Sequence, residues 1–463
     1  MRQNIWIGIV AAGALACSGA KGTTGGAAPA GNGDRQALVA RIDSIISARI
    51  AAGMVAGASI AVVKGKDTIA VQGFGKANIE LNVPTMAHAT YEIGSVTKQF
   101  TAAAMLQLVE QGKINLDEDI TKYLPGYNSQ GHKIPVRRLL DHTSGIKGYT
   151  EMKEFGPLSV FKLPRDTLVT LFSKQPFDFN PGDEEIYNNS AFFLAGLIIE
   201  KVSGMPYEEY IQKNLFDKAG MKDAHYCSES KIYPNQVTGY DGDSAGFVHK
   251  APISHQWPYA AGSICSSAID LVRWDEALHR DGTILGQAAH QEMVMPGKLN
   301  DGTTIGYGKG IAVYPRLGHK AYHHGGGIPG FLSENIYFPD DSLSVVVLFN
   351  SAREGPDNTA LAIAKLILSP AADATKPMDG DVNRFAGTFT GNGRGRPTEA
   401  VITVKDGTVM AKLSISDSAK VLKYLGGDRF ANDEMNLIFG GQNGKIGTVR
   451  LDGGYGNNLL KRK

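Results

Sequence analysis

The stretch Tyr91-Glu-Ile-Gly-Ser95-Val-Thr-Lys98-Gln-Phe-Thr-Ala-Ala-Ala-Met-Leu-Gln-Leu-Val-Glu-Gln-Gly112 decides how the rest of the chain is read. Apolar or small side chains at Phe100, Ala103, Ala104, Leu106, Leu108 and Val109 run almost all the way round, so the spacing predicts a helix enclosed by protein. Gly112 ends it. Ser95 falls at the helix start, where unpaired N–H groups and the positive end of the helix favour a developing oxyanion. Lys98, three positions on, projects from the same face. An amine held there among apolar neighbours loses part of its proton affinity, which makes Lys98 a candidate base for the Ser95 hydroxyl.

Ser-x-x-Lys alone carries little information, because the chain has it at Ser18, Ser95, Ser144, Ser159 and Ser228, paired with Lys21, Lys98, Lys147, Lys162 and Lys231. Only the Ser95 copy opens a long apolar helix; the others sit in Gly-rich, Pro-flanked or polar surroundings that read as loops. Two further stretches follow in order. Asn180-Pro-Gly-Asp-Glu-Glu-Ile-Tyr187-Asn-Asn189 is a turn leading into an apolar helix that runs to Gly204, and His323-His324-Gly325-Gly326-Gly327 is the glycine-rich start of a strand.

Ser95-x-x-Lys98, Tyr187-x-Asn189 and His324-x-Gly326 together resemble the three active-site motifs of the serine β-lactamase and penicillin-binding protein superfamily, in the branch of class C β-lactamases, DD-peptidases and related esterases. Connecting phrases are similar too: Leu139-Leu-Asp-His-Thr-Ser-Gly145, Pro181-Gly182 and Ala261-Gly-Ser-Ile-Cys-Ser-Ser-Ala-Ile-Asp-Leu271. The resemblance implies that Ser95 attacks a carbonyl to form an acyl-enzyme, with Lys98 and Tyr187 sharing the proton transfers. It also implies that Asn189, His324 and Gly326 bind substrate and that the N–H groups of Ser95 and Gly327 form the oxyanion hole. Class C β-lactamases carry lysine where this chain has His324. An imidazole is mostly neutral at pH 7, so the reading expects weak β-lactamase activity and, if His324 meets a substrate carboxylate, a rate that follows the His titration.

His142 with Asp141 and Ser144 does not make a Ser-His-Asp set, since adjacent positions do not converge and no Gly-x-Ser-x-Gly elbow exists. His319 and His323, four apart, would share a face on a strand, but no zinc motif accompanies them and no metal or cofactor is expected. Trp257 and Tyr259 suit either a substrate groove or buried packing.

With 463 residues, 43% apolar, 20% charged and a net charge of +1, the chain can build a core and has no general attraction for nucleic acid or anionic membrane. Residues 1–17 read as an export signal: one early Arg, a short apolar run, and Ala14-Leu15-Ala16 before Cys17. That site suits ordinary cleavage or, as a relaxed lipobox, acylation of Cys17, which would anchor the protein to the membrane. The expected address is therefore the periplasm or cell envelope. Residues 18–34 form a Gly- and Ala-rich tether. Cys227 and Cys265 are expected to be unpaired small apolar residues, although an exported compartment permits a bridge.

The expected fold is α+β. An amphipathic helix on Leu38, Val39, Ile42, Ile45, Ile46 and Ile50 precedes two strands from Gly57, and further strands appear at Gly310–Tyr314 and from Gly330 to Phe349. One antiparallel sheet built from both ends, flanked by helices and with a helical region inserted, is the economical arrangement and the one the resemblance implies. The domain reading is 35–370 for this hydrolase unit, 371–381 for a linker and 382–463 for a small all-β, lipocalin-like barrel. All three motifs precede the linker, so the hydrolase is expected to be independent of the barrel. The functional expectation is an exported serine hydrolase acting on a small-molecule or peptide amide or ester. The alternative is a penicillin-binding or sensing module that is acylated with little turnover.

Overall fold

The computed structural model describes residues 32–463 apart from 244, 372–374, 394–395, 415, 417, 433–434, 443–444 and 453–455. The signal segment 1–17 with Cys17, nearly all of the tether and part of the linker lie outside the described residues.

A six-stranded antiparallel sheet is assembled from both ends of the β-lactamase-like part, in the order Tyr322–Ile328, Phe331–Phe338, Leu343–Phe349, Gly57–Lys64, Asp67–Asn78, Val83–Pro84. Gly57–Lys64 and Leu343–Phe349 pair from Ala58↔Phe349 to Lys64↔Leu343. Their near-continuous apolar runs reflect burial of both faces. Ile60, Val62, Val345 and Val347 meet Ile42 and Ile46 of the helix Asn32–Ala51 and Ile363 of the helix Asp357–Lys365. The alternate residues Ala61, Val63, Val346 and Leu348 face the inserted helical region instead.

That region surrounds the helix Thr97–Glu110, which is buried continuously from Thr97 to Leu108. Phe100 stacks on Trp274 with ring centroids 4.0 Å apart and meets Phe216 edge-on at 5.6 Å. Ser95 does not open this helix directly. It lies in a 3-10 turn, Gly94–Val96, so Lys98 falls in the first helical turn. The expected strand at Gly310–Tyr314 is a looped segment with isolated bridges, Tyr307↔Ala312 and Ala312↔His323. Gly310 has φ +73° and packs so tightly on the Lys98 carbonyl that a Cβ there would lie 2.4 Å from it, which an extended strand could not do.

Cys227 and Cys265 are disulfide-bonded, contrary to the expectation of free thiols. His225–Tyr226 pairs with the strand Ile264–Ser267, and the Cys227 N–H donates to the Ser263 carbonyl at 2.9 Å. This non-local pairing brings the two Cα atoms to 5.2 Å, within disulfide reach. His319 and His323 do not form a pair: His319 Nδ1 lies 2.9 Å from Asp341 Oδ2, and His323 Nδ1 3.3 Å from Glu334 Oε1 on the buried strand.

Beyond residue 386, eight antiparallel strands from Gly387–Gly393 to Gly456–Arg462 close into a barrel through Phe389↔Arg462 and Thr390↔Lys461. Its interior is apolar, with Phe385, Phe389, Phe430 and Phe439 in mutual ring contact. The expected independence of the two parts meets a direct contact, because the last barrel strand pairs with the strand Glu185–Ile186.

Candidate active site

Three elements deliver the site. The 3-10 turn bearing Ser95 packs against the glycine-rich strand Tyr322–Ile328, and this approach is possible only without side chains. A Cβ on Gly326 would lie 2.0 Å from the Ile93 carbonyl oxygen, and one on Gly94, at φ +49°, would lie 2.8 Å from the Gly327 nitrogen. Ser333 Oγ donates to the same Ile93 carbonyl at 2.8 Å and fixes the turn on the sheet. The third element is the helix Asn189–Ser203, capped by Asn188, whose Oδ1 accepts from the Ala191 N–H at 2.8 Å.

Lys98 is fully buried at the meeting point. Its Nζ lies 3.1 Å from Ser95 Oγ, 2.8 Å from Asn189 Oδ1 and 2.9 Å from the Ala261 carbonyl oxygen. It also stands 4.6 Å from the centre of the Tyr187 ring. The two carbonyl oxygens occupy two of its N–H groups. As a neutral amine, Lys98 would therefore point its lone pair at the Ser95 hydroxyl, and as an ammonium it would donate to all three oxygens. Asn189 Nδ2 reaches Thr150 Oγ1 at 3.2 Å, which orients the amide so that its oxygen faces Lys98.

Tyr187 is braced from behind by His142, a residue at φ +61° whose ring lies 4.3 Å from that of Tyr187. The His142 carbonyl accepts from the Ile186 N–H at 3.0 Å, and its Nδ1 accepts from the Asn188 N–H at 3.1 Å. The backbone is thus held on both sides of Tyr187 by one residue, and an accepting Nδ1 places the ring proton on Nε2. Asp141 turns away to Lys309, 3.5 Å distant, so the Asp141–His142–Ser144 run forms no catalytic set.

The structure brings Ser95, Lys98, Tyr187, Asn189 and the Gly327 backbone together but sets His324 differently from the reading. His324 is fully buried and does not line the cavity at Ser95. Its Nδ1 donates to the Gly325 carbonyl at 2.6 Å and its Nε2 accepts from the Tyr307 hydroxyl at 2.7 Å, a neutral tautomer fixed at both ends. Burial, with the nearby charge of Lys98 adding to it, pushes the imidazole down to about 3. Gly326 packs on the Ile93 carbonyl and likewise does not line the Ser95 cavity.

A cavity of about 170 Å³ opens on Ser95, with Thr150 and Asn189 as polar neighbours and Tyr149, Phe155, Ile253, Pro258 and Ile328 as apolar ones. Among its lining residues none carries a charge. Tyr149 opens the 3-10 turn Tyr149–Glu151, Phe155 opens the single helical turn Phe155–Leu158 and Ile253 lies in a loop, none of them in a motif, which is why the sequence did not mark them. Trp257 and Tyr259 are packing residues: both are buried, and Tyr259 fills the space left by Gly196, whose Cβ would lie 2.6 Å from that ring. A larger cavity of about 750 Å³, between Leu317, Leu368 and Pro370 and the barrel residues Lys423, Arg429 and Met435, shares no lining residue with the Ser95 cavity.

The fold and this cluster define a class, a β-lactamase-like scaffold carrying a buried lysine against a serine at a sheet-packed turn. The Beta-lactamase family model matches residues 42–368, and the chain belongs to that family. It is 26% identical over 316 residues to a D-aminopeptidase of Gluconobacter oxydans (strain 621H), covering 67% of this chain but only 59% of that relative. The octameric penicillin-binding protein homologue from Pyrococcus abyssi superposes with a TM-score of 0.63 at 26% identity, over 91% of this chain and 100% of that one. The D-amino acid amidase from Ochrobactrum anthropi SV3, solved with D-phenylalanine, gives 0.63 at 25% identity, over 72% and 99%.

Proposed function

We propose that the protein is an exported serine hydrolase that forms an acyl-enzyme at Ser95 on a neutral amide or ester with an apolar acyl group. The observation that carries this reading is Lys98, buried and held by two carbonyl oxygens with its Nζ 3.1 Å from Ser95 Oγ. Oγ attacks the carbonyl carbon as its proton passes to Lys98 or Tyr187, and the carbonyl oxygen becomes an oxyanion facing the Ser95 and Gly327 N–H groups. Collapse expels the amine or alkoxide, which takes the proton. Water then attacks the ester along the same path and regenerates Ser95. The substrate class follows from a cavity whose lining offers apolar surface and no charge. It has neither an ammonium for a substrate carboxylate nor a carboxylate for a free α-amine. The aminopeptidase and amidase names of relatives support acyl groups of D configuration, while the uncharged lining favours N-blocked amides or esters over the free amine that the aminopeptidase name implies.

Export rests on residues 1–17 and membrane attachment on acylation of Cys17. We read the barrel as lipocalin-like, an accessory to the hydrolase.

The test is a fluorophosphonate and a fluorescent penicillin applied to wild type and Ser95→Ala, with turnover of aromatic D- and L-acyl esters measured alongside. Labelling and turnover that vanish in Ser95→Ala while the circular dichroism stays unchanged support the hydrolase. Labelling at Ser144, Ser159 or Ser228 overturns the nucleophile. Penicillin label that persists for hours without ester turnover favours the acylated sensing module, a reading the penicillin-binding homologue from Pyrococcus abyssi lends some weight. In the same preparations, Cys17→Ser should shift the mature protein from detergent phase to the soluble exported fraction; equal partitioning of both forms removes the anchor.

A further inference from the structure

Tyr187 is carried by a short strand, Glu185–Ile186, whose pairing partner is the last strand of the C-terminal barrel, with Ile186 opposite Gly456 and Glu185 opposite Asn457. Glu185 and Asn457 are both fully buried. The turn that precedes this strand is tied to the same barrel by a second route. The Asn300 N–H donates to the Gly182 carbonyl at 2.8 Å, and Asn300 Nδ2 donates to the Pro181 carbonyl at 3.0 Å and to Asp183 Oδ1 at 2.8 Å. The next residue, Asp301, forms an ion pair with Arg450 of the barrel. Arg450 Nη1 in turn donates to Asn457 Oδ1 at 3.1 Å, and Asn457 is the residue opposite Glu185. The contacts therefore close a ring from the Pro181–Asp183 turn through Asn300, Asp301, Arg450 and Asn457 back to Glu185, with Tyr187 two residues further on.

We propose that the barrel is a structural part of the active site, and that Arg450 and Asn457 are positioning residues for Tyr187. His142 holds the Tyr187 backbone from the β-lactamase-like side, and the barrel strand supplies the opposite edge. A two-residue strand has too few contacts of its own to hold a side chain to the tolerance that proton transfer needs, and a misplacement of about 1 Å can cost about 100-fold in rate. Strand addition fixes the backbone of Glu185–Ile186 without any barrel side chain entering the cavity. None of the residues lining the Ser95 cavity comes from the barrel.

The role of Tyr187 rests on the proposed function, whereas the coupling of its segment to the barrel does not, and the experiment separates the two. Full-length Asn457→Pro, Arg450→Ala, Asp301→Ala and the charge-swapped Asp301→Arg/Arg450→Asp are compared with wild type. Amide hydrogen exchange over residues 183–189 is read together with kcat and KM for a neutral chromogenic ester. The expected result is exchange faster by about tenfold or more in Arg450→Ala and Asn457→Pro, with kcat lower by about 10- to 100-fold and KM within about twofold. The charge swap restores the 301–450 ion pair but not the donation to Asn457 Oδ1, so it should recover only part of both losses. Unchanged exchange over 183–189 in these variants overturns the coupling, including where Asn457→Pro unfolds the barrel. Faster exchange with unchanged kcat overturns the positioning role. Exchange needs no turnover, so a wild type that never acylates would remove the role of Tyr187 and still leave the coupling decided.

Discussion

At His324 both ring nitrogens are engaged, one by the Gly325 carbonyl and the other by the Tyr307 hydroxyl, and the ring lies behind the cavity wall. Its low proton affinity, about 3, keeps it neutral at any pH at which the enzyme would be assayed. The reading that ties a carboxylated substrate to a His titration therefore gives way to a flat one. The ratio of rate constants for a carboxylated and a neutral ester should stay constant between about pH 5 and 8, where an unperturbed imidazole near 6.5 would have changed it. A ratio that falls across that range would return His324 to the substrate surface. Stability is where this ring should titrate. The unfolded chain takes up a proton near 6.5 and the folded one only near 3, so the contribution is complete above about 6.5 and is lost as pH falls through the interval down to about 3. His324→Gln keeps a donor and an acceptor but cannot titrate. Its deficit in urea midpoint against wild type should shrink between about pH 7 and 4.5. His324→Lys should cost about 3 kcal/mol or more, because it buries a second ammonium near Lys98 with only the neutral Gly325 carbonyl and Tyr307 hydroxyl to receive it. At this scale the sequence was legible where spacing encodes chemistry, at Ser95, Lys98 and Asn189. It was not legible at Tyr149, Phe155 or Ile253, apolar residues of two short helical turns and a loop that only the fold turns toward the cavity.

Among the elements, the junction of the Ser95 turn with the Tyr322–Ile328 strand tolerates least. Gly326→Ala would place a methyl group 2.0 Å from the Ile93 carbonyl oxygen, which is backbone, and 2.3 Å from Ser333 Oγ, a hydroxyl held on that same carbonyl. The strand must back away, taking the Gly327 N–H with it. Acylation of Ser95 should slow by about 100-fold while overpacking lowers stability by only about 1–3 kcal/mol. Stopped-flow phosphonylation together with a denaturant titration checks this, and an unaltered rate at reduced stability would show that Gly327 does not serve the oxyanion. Gly447, by contrast, leaves open space where a Cβ would lie, with no heavy atom within 4 Å, and should accept alanine without comparable cost. The sequence announced the enclosed Ser95 helix and the strands whose apolar runs are continuous. It misjudged Gly310–Tyr314, where apolar residues follow a glycine that turns against Lys98, and it had no means to register Cys265 against Cys227 across a pairing 38 residues apart.

For the molecule as a whole, the sheet built from both ends could be inferred because strand-like runs cluster early and late around a helical middle. The composition break at Pro370–Pro377 likewise suggested where a second unit starts. What composition could not carry is that the final strand of the chain returns to the segment before Tyr187, since two residues, Glu185 and Ile186, leave no strand pattern to read. That return makes a reciprocal demand. If the barrel strand stabilises the Tyr187 segment, a reversible ligand that fixes the Ser95 site must stabilise the barrel strand by the same coupling free energy. A boronic acid that adds reversibly to Ser95 and carries an apolar group for the Tyr149–Phe155 wall is a suitable probe. In wild type it should slow amide exchange over 456–462 as well as over 94–98 and 185–189. In Arg450→Ala the slowing over 456–462 should vanish and the boronate should bind more weakly by the factor lost. Protection confined to the β-lactamase-like part, with equal affinity in the two proteins, would mean that the two parts touch without exchanging free energy.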